Sequence, residues 1–177
     1  MFDKEYRLKG RHAKRVNNLT SKFDEDRKAS MFDRNVDVFI NAPLVGFLYN
    51  RKAEIDETKN AVTGEVESSH IMGDRIMQSR EELFYVYRLI ILLDKNHEQV
   101  LNKRIDKAFR DLTPKPEDEE LFYSYMRGGI DVLYEKLIEN AVTPDDYAKK
   151  LETFITEFND MFNKEIKQDE IASKYSK

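Results

Sequence analysis

Eleven residues in the middle of the chain, Leu83–Leu93 (LFYVYRLIILL), carry a single charged side chain, Arg88. A helix apolar on every side belongs inside a protein, because a surface helix keeps a polar face. The run falls well short of the roughly 20 apolar residues that span a bilayer. Glu81-Glu82 before it and Asp94-Lys95 after it are helix flanks, so the run reads as a core helix around which other segments pack. Six glycines and four prolines among 177 residues favour helices over a turn-rich β fold. The expectation is an all-α, single-domain bundle of about six to eight helices around a buried central helix, Leu83–Leu93.

The other apolar stripes fit that plan. Val16, Leu19 and Phe23 share a helical face, and Met31, Phe32, Val36, Phe39 and Ile40 share another. Pro43 removes a backbone donor, which predicts one helix ending near Ala42 and a second short one over Pro43–Tyr49. Residues 51–69 are polar and lack periodicity, the mark of a long surface loop. Ser79 with Glu82 forms a capping-box pattern, which predicts two helices breaking near Gln78–Ser79 rather than one rod. Val100, Leu101, Ile105, Ala108 and Phe109 give a further helix, stopped at Thr113-Pro114. Pro116 with Glu117–Glu120 opens the next, since anions favour the positive end of a helix dipole. Thr143-Pro144 starts the last helix, with Leu151, Phe154, Ile155, Phe158 and Phe162 as its stripe.

Charge is uneven along the chain. Residues 1–15 hold Lys4, Arg7, Lys9, Arg11, Lys14 and Arg15 against Asp3 and Glu5, whereas nine basic and sixteen acidic residues follow from Asp111 onward. The expected organisation is a basic N-terminal arm (1–15), a helical domain (16–163) and a frayed C-terminal tail (164–177). A basic arm contacts phosphates or is simply solvated; with Arg51 and Lys52 it makes the candidate nucleic-acid-binding set. Only Tyr6 lies among the N-terminal cations, too few aromatics for a single-strand stacking platform.

Few residues suggest chemistry. The chain has no cysteine, which excludes disulfides and thiolate metal sites and suits a cytoplasmic location, as does an N-terminus without an apolar signal segment. His12, His70 and His97 lie far apart in sequence, so no metal is expected. No nucleophile-elbow or phosphate-loop motif is present, and no catalytic residue or cofactor is implied. Arg127-Gly128-Gly129 reads either as an anion site, where glycines let backbone amides approach a phosphate, or as a close helix contact or kink. Arg88 must snorkel out, line a ligand pocket or find a buried acid, for which Asp37, Asp94, Asp106 and Asp131 are candidates.

Three stretches taken together carry a family resemblance: VDVFINAPLVGFLYNRKAEID (36–56), ELFYVYRLIILLD (82–94) and ELFYSYMRGGIDVLYEKL (120–137). In their order, with Ala42 and Gly46 ahead of Arg51-Lys52 and Tyr125 ahead of Gly128-Gly129, the chain resembles the small helical proteins found beside DNA phosphorothioation (dnd) genes in bacteria. The likeness runs over residues 31–139, with 57–69 and 95–119 outside it. It implies a bacterial accessory protein of a DNA-modification or anti-phage defence system, and it carries over no catalytic residue. The expected function is that of a non-enzymatic α-helical adaptor with protein partners from the same operon or assembly. Direct nucleic-acid binding and a small-ligand binder or enzyme with a pocket at Arg88 are the alternatives. Eleven phenylalanines and nine tyrosines leave room for a homodimer. No membrane association is expected.

Overall fold

The computed structural model describes residues 1–24, 26–111 and 113–162; the tail expected over 164–177 lies outside them. Along the chain come β1 (Tyr6–Lys9), α1 (Gly10–Thr20), β2 (Lys22–Asp24), β3 (Ala29–Ser30), α2 (Asn35–Leu48), β4 (Ser68–Ile71), α3 (Gly73–Gln78) and α4 (Arg80–Leu93). A short α5 (Leu101–Ile105) continues into a π-helical turn, Asp106–Arg110, and is followed by α6 (Pro116–Leu137) and α7 (Pro144–Phe162). The described residues thus form a mainly helical domain with seven α-helices and two two-stranded antiparallel sheets, β1–β4 and β2–β3.

The most enclosed element is α6. Every residue from Tyr125 to Leu133 is buried, polar Arg127 and Asp131 included. Helix α4 buries one side, Leu83, Val86, Tyr87, Ile90 and Ile91, while Tyr85 and Leu93 remain more than half exposed. Centrality is therefore shared, and the run Leu83–Leu93 is not wrapped on all sides: its apolar residues also build an outer surface.

Close packing of α2 on α6 depends on glycine. A Cβ built on Gly46 would overlap the carbonyl oxygen of Tyr125, and one on Gly129 that of Ala42. One on Gly128 would strike the carbonyl of Arg51, just beyond the end of α2. Small residues on facing turns thus bring two backbones to a separation that no side chain permits. Along this contact α2 stays a single helix with Pro43 inside it, which corrects the expected break at Ala42. Pro43 removes one helical hydrogen bond, but its buried ring and the packing of Ala42, Val45 and Gly46 keep the helix intact.

The break between α3 and α4 falls at Ser79, as the sequence predicts, although Ser79 makes no side-chain capping bond. At the start of α7 the cap is reciprocal: the Thr143 amide donates to Asp146 Oδ2 at 2.8 Å, and the Asp146 amide donates to Thr143 Oγ1 at 3.3 Å.

Residues 1–15 are not an arm. Phe2 and Leu8 are 3% and 2% exposed, and β1 pairs with β4 in the register Tyr6–Ile71, Arg7–His70, Leu8–Ser69 and Lys9–Ser68. Alternation points Leu8 and Ile71 into the core and leaves Arg7 and His70 on the solvent side. Burial of Phe2, Leu8 and Ile71 outweighs the charge between them, and the expected loop 51–69 ends in the partner strand.

Candidate functional site

The eight cations expected to bind nucleic acid are divided by the fold. Lys9 pairs with Glu57 at 2.6 Å, and Arg51 grips Glu135 with two nitrogens at 2.8 and 2.7 Å. Arg11 and Arg15 both reach Asp131, and Lys52 lies 3.4 Å from Asp94 and over the Tyr125 ring. Only Lys4, Arg7 and Lys14 of the set are exposed without a carboxylate partner among the described residues.

Asp131 is the main buried charge. It is 2% exposed on α6 and faces α1, where Arg11 Nη2 lies at 3.2 Å, Arg15 closer still, and His12 Nε2 at 3.3 Å without hydrogen-bond alignment. Burial pushes its carboxyl up, but His12, Arg11 and Arg15 outweigh this and hold it far below the usual carboxylate range. The N-terminus of α1 has its own anion: Asp56 Oδ2 accepts the Arg11 amide at 2.6 Å. Hydrogen bonds from Thr58 and Arg11 lower the Asp56 carboxyl to about 2.

Arg127-Gly128-Gly129 is not an anion site. The three residues lie inside α6, so their amides serve the helix and do not end it. Arg127 is 2% exposed, donates through Nε to the Ala53 carbonyl at 2.7 Å, and pairs with Glu120. It ties the segment after α2 to α6, and the glycines have the close-contact role.

Arg88 has no buried acid. It is exposed, and its guanidinium lies 5.7 Å from the Phe84 ring centre. The ion pair with Asp37, Asp94, Asp106 or Asp131 does not form, because α4 turns Arg88 to its open side. Asp94 instead accepts Tyr125 Oη at 2.8 Å and the amides of Asn96 and His97, closing the turn after α4. Asp37 pairs with Arg34, and Asp106 with Arg110. Arg88 thus turns out to solvent, one of the alternatives expected for it, and also lines a cavity of about 200 Å³ with Arg80, Tyr87, Lys107 and Phe109.

Two further features escaped the sequence reading. Asp118, 1% exposed, is held by His97 Nε2 at 2.6 Å and Lys107 Nζ at 2.8 Å. Nothing in the spacing of these residues predicts that pairing. The second is an apolar groove between α2 and α7, about 370 Å³, lined by Leu44, Val45, Leu133, Phe154, Ile155 and Phe158. Its α7 wall is unusual: no residue of this 19-residue helix is buried, and Ile155 is 58% and Leu151 41% exposed. The apolar stripe that marks α7 in the sequence lies partly on solvent.

Among the described residues no group of three or more histidine, cysteine or acidic side chains is placed to hold a metal ion, and no helix is long and apolar enough to cross a membrane. The chain matches no protein-family model, curated protein or solved structure.

Proposed function

We propose that the chain is a non-enzymatic helical adaptor that holds an amphipathic helix of a partner protein in the groove between α2 and α7. The observation that carries this reading is α7 itself. A helix with a full apolar stripe and no buried residue leaves much of its apolar surface in water, which marks an interaction site. The groove has the apolar lining of helix-in-groove recognition, in which apolar anchors at i, i+3 or i+4, and i+7 enter a hydrophobic channel. Its flanks are acidic. Asp33 and Asp160, next in sequence to the lining residues Phe32 and Asn159, are exposed and have no cation paired to them among the described residues. The partner helix therefore carries Leu, Ile or Phe anchors with Lys or Arg beside them.

The resemblance to dnd-associated proteins supports a bacterial, cytoplasmic assembly of DNA modification or defence as the setting. Direct phosphate contact is the weaker reading, since five of its eight cations are held by carboxylates. The test is copurification of the tagged protein from its native host, beside the variant Leu151→Asp/Ile155→Asp. Both positions are exposed, so the variant keeps its melting temperature. A partner present with the wild type and absent with the variant supports the adaptor. A partner retained by the variant, or a copy of the chain itself as the sole companion, overturns it.

A further inference from the structure

The outer face of α4 carries a second feature, independent of the groove. Arg80, Phe84 and Arg88 follow one another at successive turns, and the two guanidiniums lie 5.3 and 5.7 Å from the centre of the Phe84 ring. Neither arginine has a carboxylate within ion-pair distance among the described residues, whereas Arg11, Arg15, Arg34, Arg51, Arg110 and Arg127 all do. Opposite them stands the π-helical turn Asp106–Arg110. An extra residue in a helical turn re-aims the side chains that follow it, and such turns recur at functional sites. Here it presents Lys107 and Phe109 to the same cavity, and Phe109 is 59% exposed.

The balance of charge around the cavity selects the ligand. Arg80, Arg88 and Lys107 line it against one acid, Asp111. Lys107 is neutralised by Asp118 and Asp111 offsets one arginine, which leaves the lining with a net of one positive charge on a chain of net charge −4. Guanidinium groups match phosphate oxygens in pairs of hydrogen bonds. Tyr87, also a lining residue, is 2% exposed, and among the described residues its hydroxyl has no hydrogen-bond partner, an unused donor in the cavity wall. An exposed phenyl ring at the rim offers a stacking surface for a flat ring. At about 200 Å³ the cavity is below the range of drug-sized sites, so it takes a phosphate group and leaves the rest of the ligand at the rim.

We propose that this cavity binds a phosphate ester carrying a flat ring, of the nucleoside monophosphate class, with its phosphate at the arginines that flank Phe84 and its ring on Phe109. The same chemistry is offered by a free mononucleotide and by the 5′-phosphorylated end of a nucleic-acid strand. Titration calorimetry on the full chain at low salt separates them, using adenosine 5′-monophosphate, adenosine, inorganic phosphate, and a tetranucleotide with and without a 5′-phosphate. The expected result is that adenosine 5′-monophosphate binds at least about tenfold more tightly than adenosine or phosphate alone. Arg80→Ala/Arg88→Ala, both at exposed positions, loses that binding at an unchanged melting temperature. Phe109→Ala weakens the mononucleotide but leaves inorganic phosphate unaffected. A 5′-phosphorylated tetranucleotide that outbinds the mononucleotide, while its unphosphorylated form does not, assigns the site to strand ends. The proposal is overturned if neither phosphate ester binds at millimolar concentration, or if the double arginine variant binds as well as the wild type.

Discussion

At the scale of single residues the fold is pinned by Asp131, a carboxylate enclosed by three basic side chains of one short helix. Replacing it with asparagine leaves Arg15 and His12 facing a neutral amide in a nearly dry contact. The cost expected is about 2–4 kcal/mol, at the lower side of a fully buried pair because Arg11 reaches water. Urea melts of Asp131→Asn at neutral pH measure it, and a loss under about 1 kcal/mol removes Asp131 from the list of anchors. The pH dependence has a definite sign. The Asp131 carboxyl titrates lower in the fold than in the unfolded chain, so its stabilisation is complete above the unfolded value near 3.9. It is lost only as pH falls through the depressed folded value. Asp56, lowered to about 2, acts in the same direction between about pH 4 and 2. The gap in stability between wild type and Asp131→Asn should therefore shrink in strong acid, as the carboxylate takes up its proton.

At the scale of elements the α2–α6 contact gives the sharpest expectation. Gly129→Ala forces a methyl group into the Ala42 carbonyl, where only backbone can give way. Denaturant melts should show a loss of at least about 3 kcal/mol, beyond ordinary overpacking; a neutral result means α2 and α6 separate freely. Glycine in an exposed helix interior would show the opposite sign, a gain of up to about 1 kcal/mol. The elements legible in the sequence are those whose cause is local. The helix that stops before Thr113 and the Thr143 start of α7 follow from prolines, a cap and periodicity, and the α3–α4 break falls where expected although Ser79 forms no capping bond. The β1–β4 ladder was illegible, because Tyr6 and Ile71 meet only through the tertiary fold and each strand is four residues long. The same limit hid Asp118 with His97, and it sent Arg88 toward acids that other residues already hold. Leu8 discriminates the folded N-terminus from the expected arm. Leu8→Ala should lower stability by about 2–4 kcal/mol, as for a buried leucine, whereas in a solvated arm it would change nothing measurable.

At the scale of the whole molecule, stability is unevenly distributed. The core formed by α1, α2, α4 and α6 holds most of the buried side chains, whereas α7 rests on the domain through partly exposed contacts. They include the Phe23–Tyr147 stack at 4.6 Å, the Tyr49–Phe162 edge contact at 5.8 Å, the Lys136–Glu157 ion pair at 2.5 Å, the Lys150 ammonium 3.5 Å from the Glu135 carbonyl, and half-buried Phe154 against the core. Partly exposed contacts of this kind stabilise an interface less than a buried seam does, and surface ion pairs contribute only about 0–1 kcal/mol. Helix α7 should therefore open on its own, without global unfolding. Hydrogen exchange read by mass spectrometry tests this directly. Peptides of α7 should exchange at least about a hundredfold faster than those covering Tyr125–Leu133 of α6, in line with the spread between local and global opening. A bound amphipathic helix that completes the groove should slow α7 while leaving α6 at its own limit, because a ligand stabilises the state that binds it. If α7 exchanges as slowly as α6 in the free protein, it is an integral part of the core, and the groove beside it is rigid before any partner arrives.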